Sequence, residues 1–275
     1  MNQCYMKVEK GCLLFGNQLW ERAIQIDGDR PMSLSVTDKK TGKIWKGSQP
    51  VSLFCLSEET YVCTAHSREW GQDGLRIVLQ CMGQNHIAEM TFLLFDGSPF
   101  FSFRLFVRGC YQPQKSEEQA AADGNENAVI IKSWDRDILC EQDSVEAFGL
   151  SDRHLQVKIT ALRDVTDRYN HLVTSDEEWM YTFGRQNYRG DFFQFTNPLD
   201  HTGFTVVKEA PCRGARLNGA GADVVVYPGN YLCVRGSGLD DSVLDQEGDG
   251  CYGTAIGLCS GEEALREYKR FYQRV

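Results

Sequence analysis

Short segments that alternate apolar and polar residues, each bounded by turn residues, run through most of the 275-residue chain. The clearest segment covers residues 100–107, in which Phe101, Phe103, Leu105 and Val107 fall on one face and Ser102 and Arg104 on the other. Successive side chains of a strand point to opposite faces of a sheet, so this period of two predicts a strand with one buried side. The turn at residues 96–99, Asp-Gly-Ser-Pro, joins it to residues 88–95 and predicts a hairpin.

About fifteen such segments follow one another at near-regular spacing, and residues 16–26 form one that predicts a single continuous strand. A regular alternation of strands and helices, which would indicate a parallel sheet, is not present in the sequence. We therefore expect an all-β protein built as a large antiparallel sandwich. The absence of a fixed repeat or a second composition regime predicts one domain over residues 1–259, followed by a C-terminal connector helix over residues 260–275.

The final segment combines a predicted buried strand, residues 251–259, with the one clear helix of the chain. Ser260 and Glu263 have the spacing of a capping box, which predicts Ser260 as the N-cap. The helix shows one apolar face, formed by Ala264, Leu265, Tyr268, Phe271 and Tyr272. We expect this face either to be buried against the sandwich or to form a patch that a partner covers. The helix reaches the last residue without a glycine cap, which predicts continuation into a further domain.

The formal net charge of −9 disfavours nucleic acid and anionic membrane surfaces as partners. The sequence has neither a signal-peptide pattern nor a run approaching the roughly 18 apolar residues that indicate a membrane helix. None of the eleven cysteines forms a C-x-x-C pair, and several lie in apolar runs, as buried thiols do. We expect reduced thiols, a cytoplasmic location, no metal and no cofactor, although a removed signal peptide would leave no trace.

The charged and nucleophilic candidates each have a simpler structural interpretation. Asp135 and Asp137 flank an arginine, whereas a glycosidase needs two carboxylates set at a defined separation in space. Within the acidic residues 240–250, Asp245, Glu247 and Asp249 are spaced like the start of a calcium-binding loop, but Ile256 stands at the twelfth position, where a bidentate glutamate is required. Cys212 lies beside an arginine that could lower a thiol pKa, yet no base is placed beside it.

The five histidines have neither H-x-x-x-H nor H-E-x-x-H spacing, so the sequence predicts no metal site at them: His66, His86, His154, His171 and His201. Trp70 is flanked by polar residues and is the best candidate among the five tryptophans for a position on a loop. A tryptophan on a loop can stack against the apolar face of a sugar ring, although tryptophans more often belong to a core.

Residues 188–211 read YRGDFFQFTNPLDHTGFTVVKEAP and combine an Arg-Gly pair, an aromatic strand, an Asn-Pro turn and a Lys-Glu-Ala-Pro ending. This stretch resembles the N-terminal domain of family 36 glycoside hydrolases, the α-galactosidase or melibiase group. Residues 16–22 and 34–42, GNQLWER and LSVTDKKTG, are similar to the opening strands of that domain. Residues 252–257, YGTAIG, and the helix after them resemble the segment that leads into the catalytic barrel of the family.

The resemblance implies a β-supersandwich of the galactose mutarotase type that precedes a (β/α)₈ barrel, in which two aspartates hydrolyse α-galactosides with retention. Neither the barrel nor its Lys-x-Asp nucleophile pattern has a counterpart in this sequence. The implied function is that of a non-catalytic domain that shapes the substrate entrance and packs against the barrel and a second copy. Carbohydrate would be bound through the parent enzyme, with Trp70, Trp179 and Tyr188 as the expected aromatic residues at the substrate rim.

Two other functions stay open at the level of sequence. A mutarotase-like aldose epimerase would need two of the four histidines His86, His154, His171 and His201 to meet a carboxylate in one groove. A carbohydrate-binding module would instead bind sugar without turnover and expose a tryptophan platform.

Overall fold

The computed structural model describes residues 3–54, 60–109, 146–152, 154–162, 173–180, 184–209, 223–228, 230–234 and 247–275. The candidate residues Asp135, Asp137, His171 and Cys212 lie outside the described residues, as does most of the acidic stretch 240–250. In the described part of the chain, no helix is long and apolar enough to cross a membrane.

The described residues form twenty β-strands and one α-helix. These elements are β1 (Tyr5–Glu9), β2 (Cys12–Gly16), β3 (Trp20–Gln25), β4 (Met32–Asp38), β5 (Ile44–Trp45), β6 (Val51–Ser52), β7 (Val62–Trp70), β8 (Gly74–Met82), β9 (His86–Phe95), β10 (Phe100–Gly109), β11 (Glu146–Gly149), β12 (Gln156–Leu162), β13 (Val173–Trp179), β14 (Gln186–Tyr188), β15 (Phe192–Thr196), β16 (Gly203–Glu209), β17 (Val224–Tyr227), β18 (Tyr231–Val234), β19 (Asp249–Gly250), β20 (Gly253–Gly257) and α1 (Glu262–Tyr272).

The strands belong to three antiparallel sheets. Sheet A has the order β1-β2-β3-β4-β5, with β6 also beside β4. Sheet B has ten strands in the order β13-β12-β15-β16-β20-β10-β9-β8-β7, with β19 beside β10. Sheet C has the order β11-β18-β17-β14. Within the described residues, the prediction of an all-β sandwich with a single C-terminal helix is therefore confirmed.

The main core lies between one face of sheet B and the facing sides of sheets A and C. The four alternating apolar residues of β10 are at most 1% exposed, as their period of two predicts. Phe15 of sheet A lies 4.8 Å from Phe92 of sheet B, measured between ring centroids. Phe148 of sheet C lies 5.0 Å from Phe204 of sheet B. Aromatic rings at these separations pack in direct contact, so the three sheets share one hydrophobic core.

The predicted continuous strand over residues 16–26 is wrong, because the chain turns between β2 and β3. Asn17 is fully buried in this turn and donates hydrogen bonds of 2.8 Å from Nδ2 to the backbone oxygens of Phe95 and Ser98. Its Oδ1 accepts a 2.8 Å hydrogen bond from the backbone N–H of Leu19. A buried amide needs partners for its polar atoms, and these contacts attach sheet A to the β9–β10 hairpin.

Helix α1 packs on the opposite, outer face of sheet B. The ring of Phe271 is 1% exposed and lies 5.5 Å from the ring of Phe95 and 6.1 Å from that of Phe100. Gly257 of the neighbouring strand permits this packing, because a Cβ at that position would lie 2.4 Å from the ring of Phe100. The sequence therefore places a residue without a side chain where the aromatic cluster occupies the sheet surface.

The two ends of α1 are held by different contacts, and the N-terminal one differs from the prediction. The predicted capping box is wrong: the N-cap is Gly261, with φ of 73° and no side-chain hydrogen bond to the cap. Glycine adopts this left-handed conformation readily, so the entry to α1 is set by its backbone freedom rather than by the Ser260 hydroxyl. Beyond the helix, Arg274 donates hydrogen bonds of 3.1 Å to the backbone oxygen of Asp96.

Phe271→Ala should lower the free energy of unfolding by about 3–5 kcal/mol, because it removes the ring that seats α1 on sheet B. Leu265→Ala is a matched control on the same helix; its side chain is 62% exposed, and we expect a change within about 0.5 kcal/mol. Urea unfolding followed by circular dichroism measures both values. Equal losses for the two variants would contradict this packing.

A cleft beside the C-terminal helix as the candidate functional site

A cleft of about 1070 Å³ lies between α1 and the outer face of sheet B, and we name it the α1 cleft. Its volume is slightly above the roughly 300–1,000 Å³ that small-molecule pockets of proteins occupy. The sheet side includes Gln156, Lys158, Thr160, Phe192, Gln194, Val207 and Glu209. The helix side includes Gly261, Glu262, Leu265, Tyr268 and Tyr272.

Strand alternation brings the floor residues to this face. In β15, Phe193 and Phe195 are fully buried in the main core, whereas Phe192 and Gln194 face the cleft. Gln194 is 8% exposed and donates a 2.7 Å hydrogen bond from Nε2 to the backbone oxygen of Gly261. This bond joins the floor of the cleft to the start of α1, so the spacing between sheet and helix is fixed at that end.

A buried ion pair lies at one end of the cleft. The side chain of Lys208 is 5% exposed, and its Nζ donates to Oδ1 of Asp223, whose side chain is 20% exposed. The other carboxylate oxygen of Asp223 accepts a 3.0 Å hydrogen bond from the backbone N–H of Gly190. A buried ammonium is costly without a partner, so Asp223 compensates the charge of Lys208 and anchors the chain around Gly190 at the same time.

A second polar contact fixes the helix wall. The Tyr268 hydroxyl donates a 2.9 Å hydrogen bond to Oε1 of Glu209, and Arg104 lies 4.0 Å from the other carboxylate oxygen. Burial, followed by the nearby Glu209 carboxylate, raises the pKa of Tyr268 far above its ordinary value. The hydroxyl therefore stays protonated and remains a donor to Glu209 well into alkaline solution.

The rim of the cleft carries four exposed apolar side chains. Leu265 is 62% exposed, Tyr272 is 59%, Val173 is 57% and Tyr252 is 40%. Single exposed apolar residues are common on protein surfaces, but several around one concavity are typical of an interaction site. The cleft therefore presents accessible apolar side chains beside the exposed ion pair of Lys158 and Glu177. The charged groups Lys208 and Glu209 have partners within the chain.

The apolar residues predicted on one helix face have two different environments. Ala264 and Phe271 are buried against sheet B, and Tyr268 is half-buried beside Phe100 at 5.6 Å. The remaining two, Leu265 and Tyr272, form the exposed wall of the cleft.

The three aromatic residues predicted at the substrate rim are not brought together. Trp70 is not on a loop; it is the last residue of β7, at one edge of sheet B, with the guanidinium groups of Arg68 and Arg76 each 5.7 Å from its ring. Trp179 is the last residue of β13 at the opposite edge of the sheet, 48% exposed. Tyr188 belongs to sheet C and is 1% exposed.

Tyr188 is buried in the core, where its ring lies 6.0 Å from the ring of Phe195. The ring therefore has no exposed face in this chain on which a sugar could stack. Contact of Trp70 or Trp179 with substrate stays a prediction. Neither residue is among those that line the α1 cleft.

The described histidines occupy different environments. His86 is 3% exposed, and its Nε2 shares a 2.6 Å hydrogen bond with the hydroxyl of Tyr61. His154 and His201 are exposed, and none of the described histidines lines the α1 cleft. Among the described residues, no group of three or more His, Cys, Asp or Glu side chains is arranged to hold a metal ion.

Sequence reasoning did not identify Lys208, Glu209 and Asp223 as site residues. A signal was present in the motifs: the first two residues of the Lys-Glu-Ala-Pro ending are Lys208 and Glu209, and the Arg-Gly pair contains Gly190. The structure joins these motifs, because Asp223 contacts both Lys208 and Gly190. In the Asn-Pro turn, Asn197 donates a 3.0 Å hydrogen bond from Nδ2 to Asp152, which gives that motif a structural role.

No protein-family description matches the chain, and no curated protein matches its sequence. Among solved structures, the chain is similar to a TPR-domain containing protein from Parabacteroides distasonis, with a TM-score of 0.41 and 10% identity over 92% of this chain and 43% of that one. It is also similar to an amine oxidase from Aspergillus nidulans, with a TM-score of 0.43 and 8% identity over 93% of this chain and 52% of that one. A copper-containing benzylamine oxidase from Hansenula polymorpha has a TM-score of 0.41 and 7% identity over 94% of this chain and 56% of that one. The chain spans about half the length of these proteins.

Asp223→Ala should destabilise the fold by about 2–4 kcal/mol, because it leaves the buried Lys208 ammonium without its carboxylate. The double variant Lys208→Met/Asp223→Ala removes both charges and should recover part of that loss. Urea denaturation of the two single variants and the double variant measures the coupling in a double-mutant cycle. Additive losses would mean that the two side chains do not compensate each other.

Tyr268→Phe should lower stability by about 1 kcal/mol at neutral pH, through loss of the hydrogen bond to Glu209. It should also change the alkaline limb of the stability profile. An unfolded tyrosine ionises near pH 10, whereas native Tyr268 keeps its proton beyond that pH, so its contribution is complete below pH 10 and is lost as pH rises further.

Unfolding free energies measured between pH 8 and 11 should therefore decline less steeply in Tyr268→Phe than in the wild type. Tyr272→Phe, which removes an exposed hydroxyl from the same helix, is the control. The account is contradicted if Tyr268→Phe and the wild type decline equally.

Proposed function

We propose that this chain is a non-catalytic β-sandwich domain of an α-galactosidase-like glycoside hydrolase, and that the α1 cleft is the face on which it packs against a catalytic barrel. The exposed apolar rim of the cleft carries the proposal. The resemblance of residues 188–211 to the family 36 N-terminal domain supplies the class of enzyme.

The composition of the rim favours a protein surface as the occupant. Leu265 and Val173 are aliphatic and more than half exposed, and such side chains gain most from apolar side chains of a partner. The polar groups beneath them are already paired, as Gln194 is with Gly261 and Lys208 with Asp223. Interfaces between domains of one protein typically bury about 600–1,500 Å² and combine apolar contacts with paired polar groups, and the cleft offers both.

In this role the domain contributes no catalytic residue. It holds the barrel through α1, shapes the substrate entrance and contacts carbohydrate only as part of the parent enzyme. A reducing compartment such as the cytoplasm belongs to the same proposal, and the free thiols of Cys12, Cys63, Cys81 and Cys259 support it.

A carbohydrate-binding module is the second candidate, because the cleft also presents the rings of Phe192, Tyr252 and Tyr272. Aromatic rings stack on the apolar faces of sugars, and polar floor residues would bind their hydroxyl groups. The two candidates differ in their occupant, so titration of the chain with galactose and melibiose distinguishes them. Saturable binding that Tyr272→Ala abolishes would favour the module, whereas the domain-packing proposal expects no saturation.

The chain alone should not hydrolyse a chromogenic α-galactoside above the buffer rate. Turnover that disappears when one carboxylate of this chain is replaced by its amide would overturn the non-catalytic assignment.

The double variant Leu265→Asp/Tyr272→Asp should lose most of the fluorescence of a bound apolar dye such as anilinonaphthalene sulfonate. The dye reports accessible apolar surface, and these two side chains form the helix side of the rim. Leu199→Asp is the matched control, since Leu199 is 90% exposed and lies outside the cleft. If the dye signal fell equally in the control, or persisted in the double variant, the rim would not be an apolar binding face.

A further inference from the structure

Cys63 of β7 and Cys81 of β8 lie directly opposite each other on neighbouring antiparallel strands. Their sulfur atoms are 3.0 Å apart, and both residues are free thiols. Directly opposed residues of an antiparallel pair have Cβ atoms about 4.5–5.5 Å apart, close to the separation of about 3.5–4.5 Å that a disulfide spans. A bond between these sulfurs therefore needs only a small local adjustment of the two strands.

We propose that Cys63 and Cys81 are a redox-modification site, at which a peroxide oxidises the two thiols to a reversible disulfide. The site lies in the β7–β8 hairpin at one edge of sheet B, whereas the α1 cleft lies toward the β13 edge. It therefore shares no residue with the α1 cleft and does not depend on the proposed function.

The two cysteines differ in the way that such a reaction requires. Cys63 is half-buried and accessible to a small oxidant, whereas Cys81 is fully buried. The sulfur–sulfur contact with Cys81 lowers the pKa of Cys63, and the contact with Cys63 raises the pKa of Cys81. The thiolate is the reactive form of cysteine, so Cys63 is the attacking group and Cys81 the resolving group.

Oxidation proceeds in two balanced steps. The Cys63 thiolate attacks one oxygen of hydrogen peroxide, the O–O bond breaks, and the departing hydroxide takes a proton to become water. The sulfur of Cys81 then loses its proton and attacks the sulfenic sulfur of Cys63, the S–O bond breaks, and a second water leaves. The two thiols lose two electrons, and the peroxide gains them. Two equivalents of an external thiol restore the reduced pair by exchange.

The modification would act on an edge strand. Among the described strands, β7 is paired with β8 alone, and most of its side chains are exposed, Val62 to 67%. Edge strands are held by hydrogen bonds on one side only, so they open more readily than central strands. A covalent link from Cys63 to Cys81 would close a loop of about 18 residues and hold β7 in register.

The test treats the reduced chain with a small excess of hydrogen peroxide, followed by alkylation, trypsin and mass spectrometry. Because Arg68 and Arg76 lie between the two cysteines, trypsin separates them unless a disulfide joins their peptides. We expect a linked peptide pair two hydrogens lighter than the separate thiols, which dithiothreitol reverses. We also expect a rise in melting midpoint of roughly 5–10 °C for the oxidised wild type.

Cys63→Ser, a change at a half-buried edge position, should abolish both the linked peptide and the rise in melting midpoint. Cys259→Ser is the control at another half-buried thiol, where burial raises the pKa to about 12. It should retain both effects. Equal alkylation of Cys63 before and after peroxide, over-oxidation of Cys63 without linkage, or linkage through other cysteines in its place would each overturn the proposal. Because Cys55 lies in the same tryptic peptide as Cys63, fragment spectra of the linked pair identify the bonded cysteine.

Discussion

The contact of Phe271 with Phe95 and Phe100 sets the arrangement on the outer face of sheet B. Without this small aromatic cluster, α1 would have little apolar surface to bury, since Leu265 and Tyr272 point away from the sheet. The cluster seats the helix, and polar contacts fix its two ends. The space left between helix and sheet is the α1 cleft, so the candidate site is a direct consequence of how one helix is docked.

Local sequence patterns predicted much of this fold, because a strand or a helix shows its periodicity within a few neighbouring residues. The alternation of residues 100–107 predicts β10 and the face it buries, and the helical spacing after residue 260 predicts α1. Features that depend on distant partners were not predictable. Asn17 interrupts a strand pattern because its amide binds backbone groups 78 and 81 positions away. Trp70 lies among polar residues because β7 is an exposed edge strand, and that exposure follows from the order of the whole sheet.

The candidate site was less predictable than the fold for the same reason. Lys208 and Asp223 are 15 positions apart in the sequence, and Gly190 and Asp223 are 33 positions apart. These residues therefore come into contact only when the sheets assemble. The apolar helix positions were recognised from sequence. Which of them face the sheet depends on the direction in which the chain enters α1 at Gly261. Likewise, the contact of Cys63 with Cys81 requires the exact pairing of β7 and β8, because a slip of one residue would place the two sulfurs on opposite faces.

The α1 cleft exists only while α1 stays docked on sheet B, so the stability of α1 decides whether the proposed packing face is a permanent part of the fold. Native-state hydrogen–deuterium exchange of the α1 amides measures this most directly. We expect protection of residues 266–272 that approaches that of the neighbouring strand β20 and falls away only with global unfolding. Exchange of these amides at rates near those of an unfolded chain, while β20 stays protected, would contradict it.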